Sequence, residues 1–270
     1  MKMIIHAGGE SSRMKDVYDG HKSLLEVGIP KKSLMWIHLQ PFLKSKLIEE
    51  FIFTLRFQSE NVLAHIKKLQ EEFGFNYKTI IEPSPIGRAG SIKFGIEKGI
   101  LEKDEEYFVS NVDDLVSVNF AEFLNFKKMA ENNGKLIIMV MARKIANPFG
   151  VGRLENNDGI SELVEFNEKP FSDLAENFAA RTGLDFYLKG AIDKFTNIPL
   201  DRVTNPEQEI FPELTRERKI GVFLVDRWLS VNYKSDYTSL KDRSLEDIQN
   251  FLNAGVAKSG QRHRLQEPVS

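Results

Sequence analysis

The stretch Met3-Ile4-Ile5-His6-Ala7-Gly8-Gly9-Glu10-Ser11-Ser12-Arg13-Met14 sets the fold. A short apolar run that stops on two glycines reads as a buried strand whose C-terminal end opens into a turn. Glycine lets backbone N–H groups face an anion or the edge of a base there. Arg13 adds a fork that can hold phosphate oxygens two at a time, and Lys22 follows nine residues later. The plain alternative is a surface turn with two solvated cations. The segment is not G-x-G-x-x-G and lacks the Gly-Lys-Ser/Thr ending of a phosphate-binding loop, so the nucleotide folds carrying those motifs are disfavoured.

Working outward, the same alternation repeats. Strands are expected at Phe51–Leu55, Tyr77–Ile81, Tyr107–Val112 and Lys135–Ala142. Helices are expected at Ser33–Lys46 with a bend at Pro41, at Ser59–Phe73 with Ser59 as N-cap, at Ala89–Leu101 and at Phe120–Asn132. The pattern predicts an α/β fold, Rossmann-like: a mixed, mostly parallel sheet with helices on both faces. The second half is richer in strands. Val151–Glu155 and Ile160–Phe166 flank Asn156-Asn157-Asp158-Gly159, a hairpin signal, and Thr182–Leu188 and Ile220–Val225 are further strands. Glu207–Arg218 is read as a helix after Pro206, and Ser235–Asn253 as a closing helix. The resulting division is a domain over 1–235, a C-terminal helix over 236–253, and a disordered tail over 254–270.

Composition narrows the function. The 270 residues carry 37 Lys+Arg and 39 Asp+Glu, a net charge of −2, so no global basic field invites nucleic acid. Cysteine is absent, which removes disulfides, thiolate metal sites and thiol nucleophiles. Apolar runs such as Leu136–Ala142 are far shorter than the ~20 residues that cross a bilayer, and the N-terminal residues do not form a secretion signal. A cytoplasmic protein is expected, with no membrane partner. The five histidines show no paired metal-ligand spacing.

Three other segments can carry chemistry. Glu82-Pro83-Ser84-Pro85-Ile86-Gly87-Arg88-Ala89-Gly90-Ser91 joins a strand to a helix; Gly87 and Gly90 would let a flat base approach, and Glu82 could accept from its N–H groups. A Pro-rich loop with a helix cap reads equally well. Ser110-Asn111-Val112-Asp113-Asp114 ends a strand, where Asp113 offers the hard oxygen Mg²⁺ prefers; a helix cap or surface acid is the bland reading. In Glu165-Phe166-Asn167-Glu168-Lys169-Pro170, Lys169 could reach a phosphate and Glu168 sugar hydroxyls, or the segment is a charged strand end.

In order along the chain, these pieces resemble the sugar-phosphate nucleotidylyltransferases over roughly residues 1–240. The family's Gly-Gly-x-Gly-Thr-Arg looks like Gly8 to Arg13, and its Pro-Lys-x-Leu falls on His21-Lys22-Ser23-Leu24. Its Leu-Gly-Thr-Ala-Gly is similar to Ile86 to Gly90, its Asn-Gly-Asp to Asn111-Val112-Asp113, and its Tyr-Gly-Val to Phe149-Gly150-Val151. Glu168-Lys169-Pro170 and Thr182-Gly183-Leu184-Asp185-Phe186-Tyr187 match its later motifs. The Ser-Ser-Arg-Met opening is closer to molybdenum-cofactor guanylyltransferases, but the later motifs favour the sugar-phosphate branch. Three positions depart: Val112 replaces a glycine, Arg88 adds a cation to the base loop, and Ser230 in Trp228-Leu229-Ser230 replaces the second metal-binding Asp. Asp226 lies ~13 Å from Ser230 along an extended strand, too far to substitute. Asp114 is expected to point away from Asp113 if the strand continues.

The resemblance implies a nucleotidyltransferase (GT-A-like) fold with a smaller β-rich sugar-binding part. It implies transfer of a nucleotidyl group from an NTP to a sugar 1-phosphate with pyrophosphate leaving. Arg13 would hold the β/γ-phosphates, Lys22 the pyrophosphate side, Asp113 a Mg²⁺, and Lys169 the sugar phosphate. Ala7, Gly8, Gly9, Glu82 and Gly87 would hold the nucleotide; Gly150, Glu168 and Thr182 would line the sugar pocket. A carboxylate at Glu82 suits guanine, which leans the nucleotide toward GTP. The family suggests a homo-oligomer. Two other readings stand beside it: a catalytically impaired relative that binds nucleotide and regulates a partner, motivated by Ser230, and a glycosyltransferase using Asp113-Asp114 as its metal motif.

Overall fold

The computed structural model describes residues 1–143, 151–157, 159–167 and 178–253. The expected tail over 254–270 lies outside the described residues. In chain order the strands are β1 (Lys2–Ala7), β2 (Glu26–Val27), β3 (Lys32–Ser33), β4 (Glu50–Leu55), β5 (Asn76–Ile81), β6 (Tyr107–Asn111), β7 (Asp114–Val116), β8 (Ile137–Arg143), β9 (Val151–Asn157), β10 (Ile160–Asn167), β11 (Phe178–Tyr187), β12 (Ile220–Val225) and β13 (Trp228–Ser230). The helices are α1 (Leu34–Ser45), α2 (Ser59–Phe73), α3 (Gly87–Glu97), α4 (Phe120–Asn132), α5 (Pro206–Glu209), α6 (Phe211–Arg216), α7 (Lys234–Leu240) and α8 (Leu245–Asn253).

Nine strands form one sheet in the order β5-β4-β1-β6-β11-β8-β12-β10-β9. The pairs β5–β4, β4–β1, β1–β6 and β8–β12 are parallel. The pairs around β11 and β10 are antiparallel, so the sheet is mixed, with its parallel block at the N-terminal end. Alternation along β1 explains the two faces. Met3, Ile5 and Ala7 enter one core, with α1, α2, α4 and α8; Ile4 enters the other, with α3, α6 and Phe195. Both faces are therefore covered, as a parallel block requires.

Strand β11 changes partner halfway. Its N-terminal residues pair with β9 and its C-terminal residues with β6, while β8 lies along its other side. The ladder with β8 is interrupted between Arg181 and Asp185, where Gly183 takes φ +79°. Only glycine adopts that conformation cheaply, and a Cβ on Gly183 would sit 2.1 Å from an Asp114 carboxylate oxygen.

Several boundaries differ from the sequence expectation. Ser59 is the first helical residue; Gln58, at φ 48°, is the cap and makes no side-chain capping bond. The helix expected over Glu207–Arg218 is two short helices, α5 and α6: Ile210, at φ −116°, departs from ideal helical geometry, and Pro212 has no N–H to bond back into the preceding turn. The closing helix is also two: α7 ends at Leu240, and α8 begins at Leu245 after Ile29 and Ser244 bridge. The expected boundary at 235/236 falls inside α7. The third helix stops at Glu97, before Gly99 at φ +65°. The hairpin β9–β10 forms as read, with Gly159 at φ +80°.

Candidate active site

The order of strands switches sides at β1, which has β4 on one side and β6 on the other, both parallel to it. Ligands of open α/β sheets lodge outside the carboxyl ends of the strands at such a point. A cleft of about 690 Å³ lies there, entered by the loops after β1, β5 and β6. It is lined by Ala7, Gly8, Gly9, Arg13, Lys22, Glu82, Gly87 and Asp113, all anticipated from sequence. Gly150, Glu168 and Lys169 lie outside the described residues. Thr182 is not in the cleft: it is fully buried, and its hydroxyl donates to the Val140 carbonyl at 2.7 Å. Its neighbours Arg181 and Gly183 line the cleft instead.

The glycine turn is tied down locally. Ser11 at φ 55° starts a short 3-10 turn, buried Met14 anchors it, and the Lys22 N–H donates to Ser11 Oγ at 2.9 Å. Arg13 rests over the Tyr233 ring, 5.8 Å from its centroid. Gly8 faces Glu82, whose Oε1 would lie 3.1 Å from a Cβ at that position. Ser91 Oγ donates to Glu82 Oε1 at 2.5 Å, and burial raises the Glu82 carboxyl above its usual range. Gly87 has a structural explanation. At φ +76° its missing Cβ would lie 2.2 Å from the Thr204 carbonyl oxygen, so chain packing already demands a glycine there.

The charged centre is built from three loops. Lys22 Nζ donates to the Asp113 carboxylate and, at 3.0 Å, to Asn232 Oδ1. Strand β6 ends at Asn111, the chain turns through Val112 and Asp113, and β7 begins at Asp114 against β13. The turn defeats the parity expectation: Asp113 and Asp114 both line the cleft. Asp114 accepts from Asn111 Nδ2 and Trp228 Nε1, each at 3.0 Å, and from Ser230. Burial, with Asp113 beside it, pushes its pKa up to about 7. Ser230 faces Asp114 across the β7–β13 ladder and accepts from Asn232 Nδ2. Among the described residues, no three His, Asp or Glu side chains converge as a metal cage.

Three of the described histidines lose their charge to burial. Burial lowers His38 to about 4 and His6 to about 3, so both are neutral at pH 7. Because a carbonyl only accepts, His38 Nδ1 carries the proton and donates to the Asp114 carbonyl at 3.1 Å; Nε2 then accepts from Ser110 Oγ at 2.7 Å. Burial also lowers His21 to about 4, with Nδ1 accepting from the Ser23 N–H.

The far end of the cleft was not anticipated. Arg88 turns away from the glycine loop, and its Nη2 donates to Glu207 Oε1 at 2.7 Å. Arg181 donates to the same oxygen at 2.6 Å and clamps Asp185 through Nε and Nη2. The Arg181 and Arg88 charges outweigh desolvation and hold Glu207 down to about 2. The Arg181 position, one residue before the matched Thr-Gly-Leu motif, was its sequence signal. Glu207 had none, since an acid in the first turn of a helix is commonplace.

A glycine turn, two cations and a strand-end carboxylate converge in this cleft. The chain belongs to the nucleotidyl transferase family, whose pattern it matches over residues 2–244. Among its relatives is a mannose-1-phosphate guanyltransferase of Yarrowia lipolytica, 27% identical over 241 residues, covering 88% of this chain and 62% of that protein. The mannose-1-phosphate guanyltransferase of Saccharomyces cerevisiae is 27% identical over 243 residues, covering 88% and 63%. The chain thus spans about three-fifths of the length of these relatives. A Bacillus anthracis protein assigned as a glucose-1-phosphate thymidylyltransferase, solved with sucrose, shares the fold at a TM-score of 0.71 and 18% identity, covering 97% of this chain and 98% of that one. HddC from Yersinia pseudotuberculosis, complexed with GMP-PN, does so at 0.63 and 18%, covering 88% and 96%. No helix among the described residues is long and apolar enough to cross a membrane.

Proposed function

We propose that this protein transfers a nucleotidyl group from an NTP to a sugar 1-phosphate and releases pyrophosphate. The observation carrying the reading is the convergence of Gly8, Arg13, Lys22 and Asp113 at the end of β1, in a chain of this family. A phosphate oxygen of the sugar attacks the α-phosphorus in line, and the α–β bridging bond breaks. The attacking oxygen is ionised at neutral pH, so no general base is required. That agrees with His6, His21 and His38 being neutral and engaged in structure. Most of the catalysis is then positioning and neutralisation of two anions.

Arg13 grips the β- and γ-phosphates, leaving its place over Tyr233. Lys22 stabilises the departing pyrophosphate. Asp113 and the Asn232 carbonyl already hold one cation, the Lys22 ammonium, between two hard oxygens. That donor chemistry fits Mg²⁺, with Asp113 as its carboxylate ligand and waters completing the shell where Ser230 stands. A bound Mg²⁺ would neutralise charge developing on the α-phosphate. Gly8, Gly9, Gly87 and Glu82 hold the base; Lys169 orients the sugar phosphate, and Glu168 and Gly150 bind the sugar. The names of the relatives and the Glu82 carboxylate favour GTP.

Pyrophosphate release from each of the four common NTPs against a panel of sugar 1-phosphates, in Mg²⁺, tests this. GTP with mannose 1-phosphate is the expected pair, and Asp113→Asn should abolish sugar-dependent release. Intact GTP binding with no release from any pair would instead support a nucleotide-binding regulator, the reading that Ser230 favours.

A further inference from the structure

We infer that Arg88 binds an anionic group of the sugar substrate, an inference that rests on the proposed reaction. The reaction joins two anions, and the cations along the cleft are unequally committed. Lys22 is held by Asp113, Arg56 pairs with Glu10 at 3.1 Å, and Arg181 is clamped by Asp185 and Glu207. Arg13 stands over Tyr233 at the nucleotide end. Arg88 reaches from the loop after β5 toward Asn111 at the end of β6 and Glu207 in α5.

Its stem is fixed. Arg88 follows Gly87 at the start of α3, where the Ala89 N–H donates to the Thr204 carbonyl at 3.0 Å and the Arg88 N–H to Asn205 Oδ1 at 3.4 Å. Its head is loose. A guanidinium carries five N–H donors. Among the described residues, one of its contacts is short, to Glu207 Oε1. The others, Nε to Asn205 Oδ1 and Nη1 to Asn111 Oδ1, are both 3.5 Å, too long to satisfy a donor well.

Burial shows which way the cluster faces. The Asp185 side chain is 0% exposed, Glu207 7% and Arg181 10%, whereas Arg88 is 30% exposed and lines the cleft. The two carboxylates stand behind the two arginines and cancel their charge, so the site offers aimed N–H donors and little diffuse field. Donors in surplus, on a planar head braced from behind, match phosphate or carboxylate oxygens. The anion is either the 1-phosphate itself or a second acidic substituent on the sugar.

Arg88→Met and Arg88→Lys in the full chain test this with mannose 1-phosphate as probe and MgGTP saturating. Arg181 still pairs with Glu207 in both variants, so folding should hold, and melting temperature checks it. For a 1-phosphate ligand, the expected result for Arg88→Met is a KM for mannose 1-phosphate raised about tenfold or more, with KM for GTP within about threefold, and Arg88→Lys recovering part of the loss, since it keeps the charge and loses the fork. If the 1-phosphate is the ligand, inorganic phosphate competes with mannose 1-phosphate in the wild type and loses that competition in Arg88→Met. If a second acid is the ligand, the wild type prefers glucuronic acid 1-phosphate to glucose 1-phosphate and Arg88→Met loses the preference. KM values unchanged in Arg88→Met for both mannose 1-phosphate and glucuronic acid 1-phosphate overturn the inference, as do sugar and GTP KM values rising together with a lowered melting temperature, which marks a prop. A wild type that releases no pyrophosphate with any sugar overturns the proposed reaction and this inference with it; an active wild type with a normal Arg88→Met overturns this inference alone.

Discussion

Thr182→Val separates a structural role from a sugar-binding one. Valine keeps the branched shape, so no cavity opens, but the hydroxyl is lost. That hydroxyl donates to the Val140 carbonyl at 2.7 Å and accepts from the Leu184 N–H at 3.3 Å, in a position with no solvent exposure. Both buried backbone groups would lose this partner, at a cost of about 1–3 kcal/mol for the two bonds together. For a chain of this size that lowers the melting temperature by roughly 2–4 °C per kcal/mol, so a drop of about 2–12 °C is expected. Turnover below the transition should keep its KM for sugar phosphate, because the side chain points into the sheet between β8 and β11. Calorimetry alongside pyrophosphate-release kinetics reads both quantities. A sugar KM raised tenfold with an unchanged melting temperature would refute the placement and restore Thr182 to the sugar pocket.

Gly87→Ala should destabilise the fold by at least about 2 kcal/mol, from a positive φ and a Cβ 2.2 Å from the Thr204 carbonyl oxygen, as chemical denaturation would measure. Asp113→Asn should lower kcat by about a hundredfold or more while the sugar phosphate KM moves little, since its contact tightens at the transition state; an equal loss in KM would place it in ground-state binding. His38 has a folded pKa of about 4, below its unfolded value near 6.5. Its contribution to stability is therefore full above pH 6.5 and is lost as pH falls from there through about 4. Urea titrations should show wild type losing up to about 1.4 kcal/mol per pH unit more than His38→Gln across that window, and parallel curves would contradict it.

The parallel half of the sheet was legible because its strands are short apolar runs bounded by glycine, as at Met3–Ala7, and its helices carry a 3.6-residue period, as at Ser59–Phe73. The cleft was legible for a related reason: ligand-facing turns at strand ends need glycine beside a charge. Helix breaks were not legible. The turn between α7 and α8 depends on Ile29 and Ser244 meeting from opposite ends of the chain, which no local pattern encodes. Asp114 was misread because a strand was continued past Asn111, and parity then sent its side chain the wrong way. Gly87 and Thr182 show the converse. Both fit a ligand-binding motif, yet each has a packing partner, Thr204 or Val140, that accounts for it without a ligand.

Strand β11 has a mechanical consequence. Because it is laced to β9 at one end and β6 at the other, the nucleotide half and the strand-rich half share one ladder. Neither half can detach without breaking the β11–β6 ladder in the middle of the sheet, so the described core should melt as one cooperative unit. Native-state hydrogen exchange would then find the slowest amides of both halves opening together, with the fastest exchange in the strand at the Thr182–Gly183 kink.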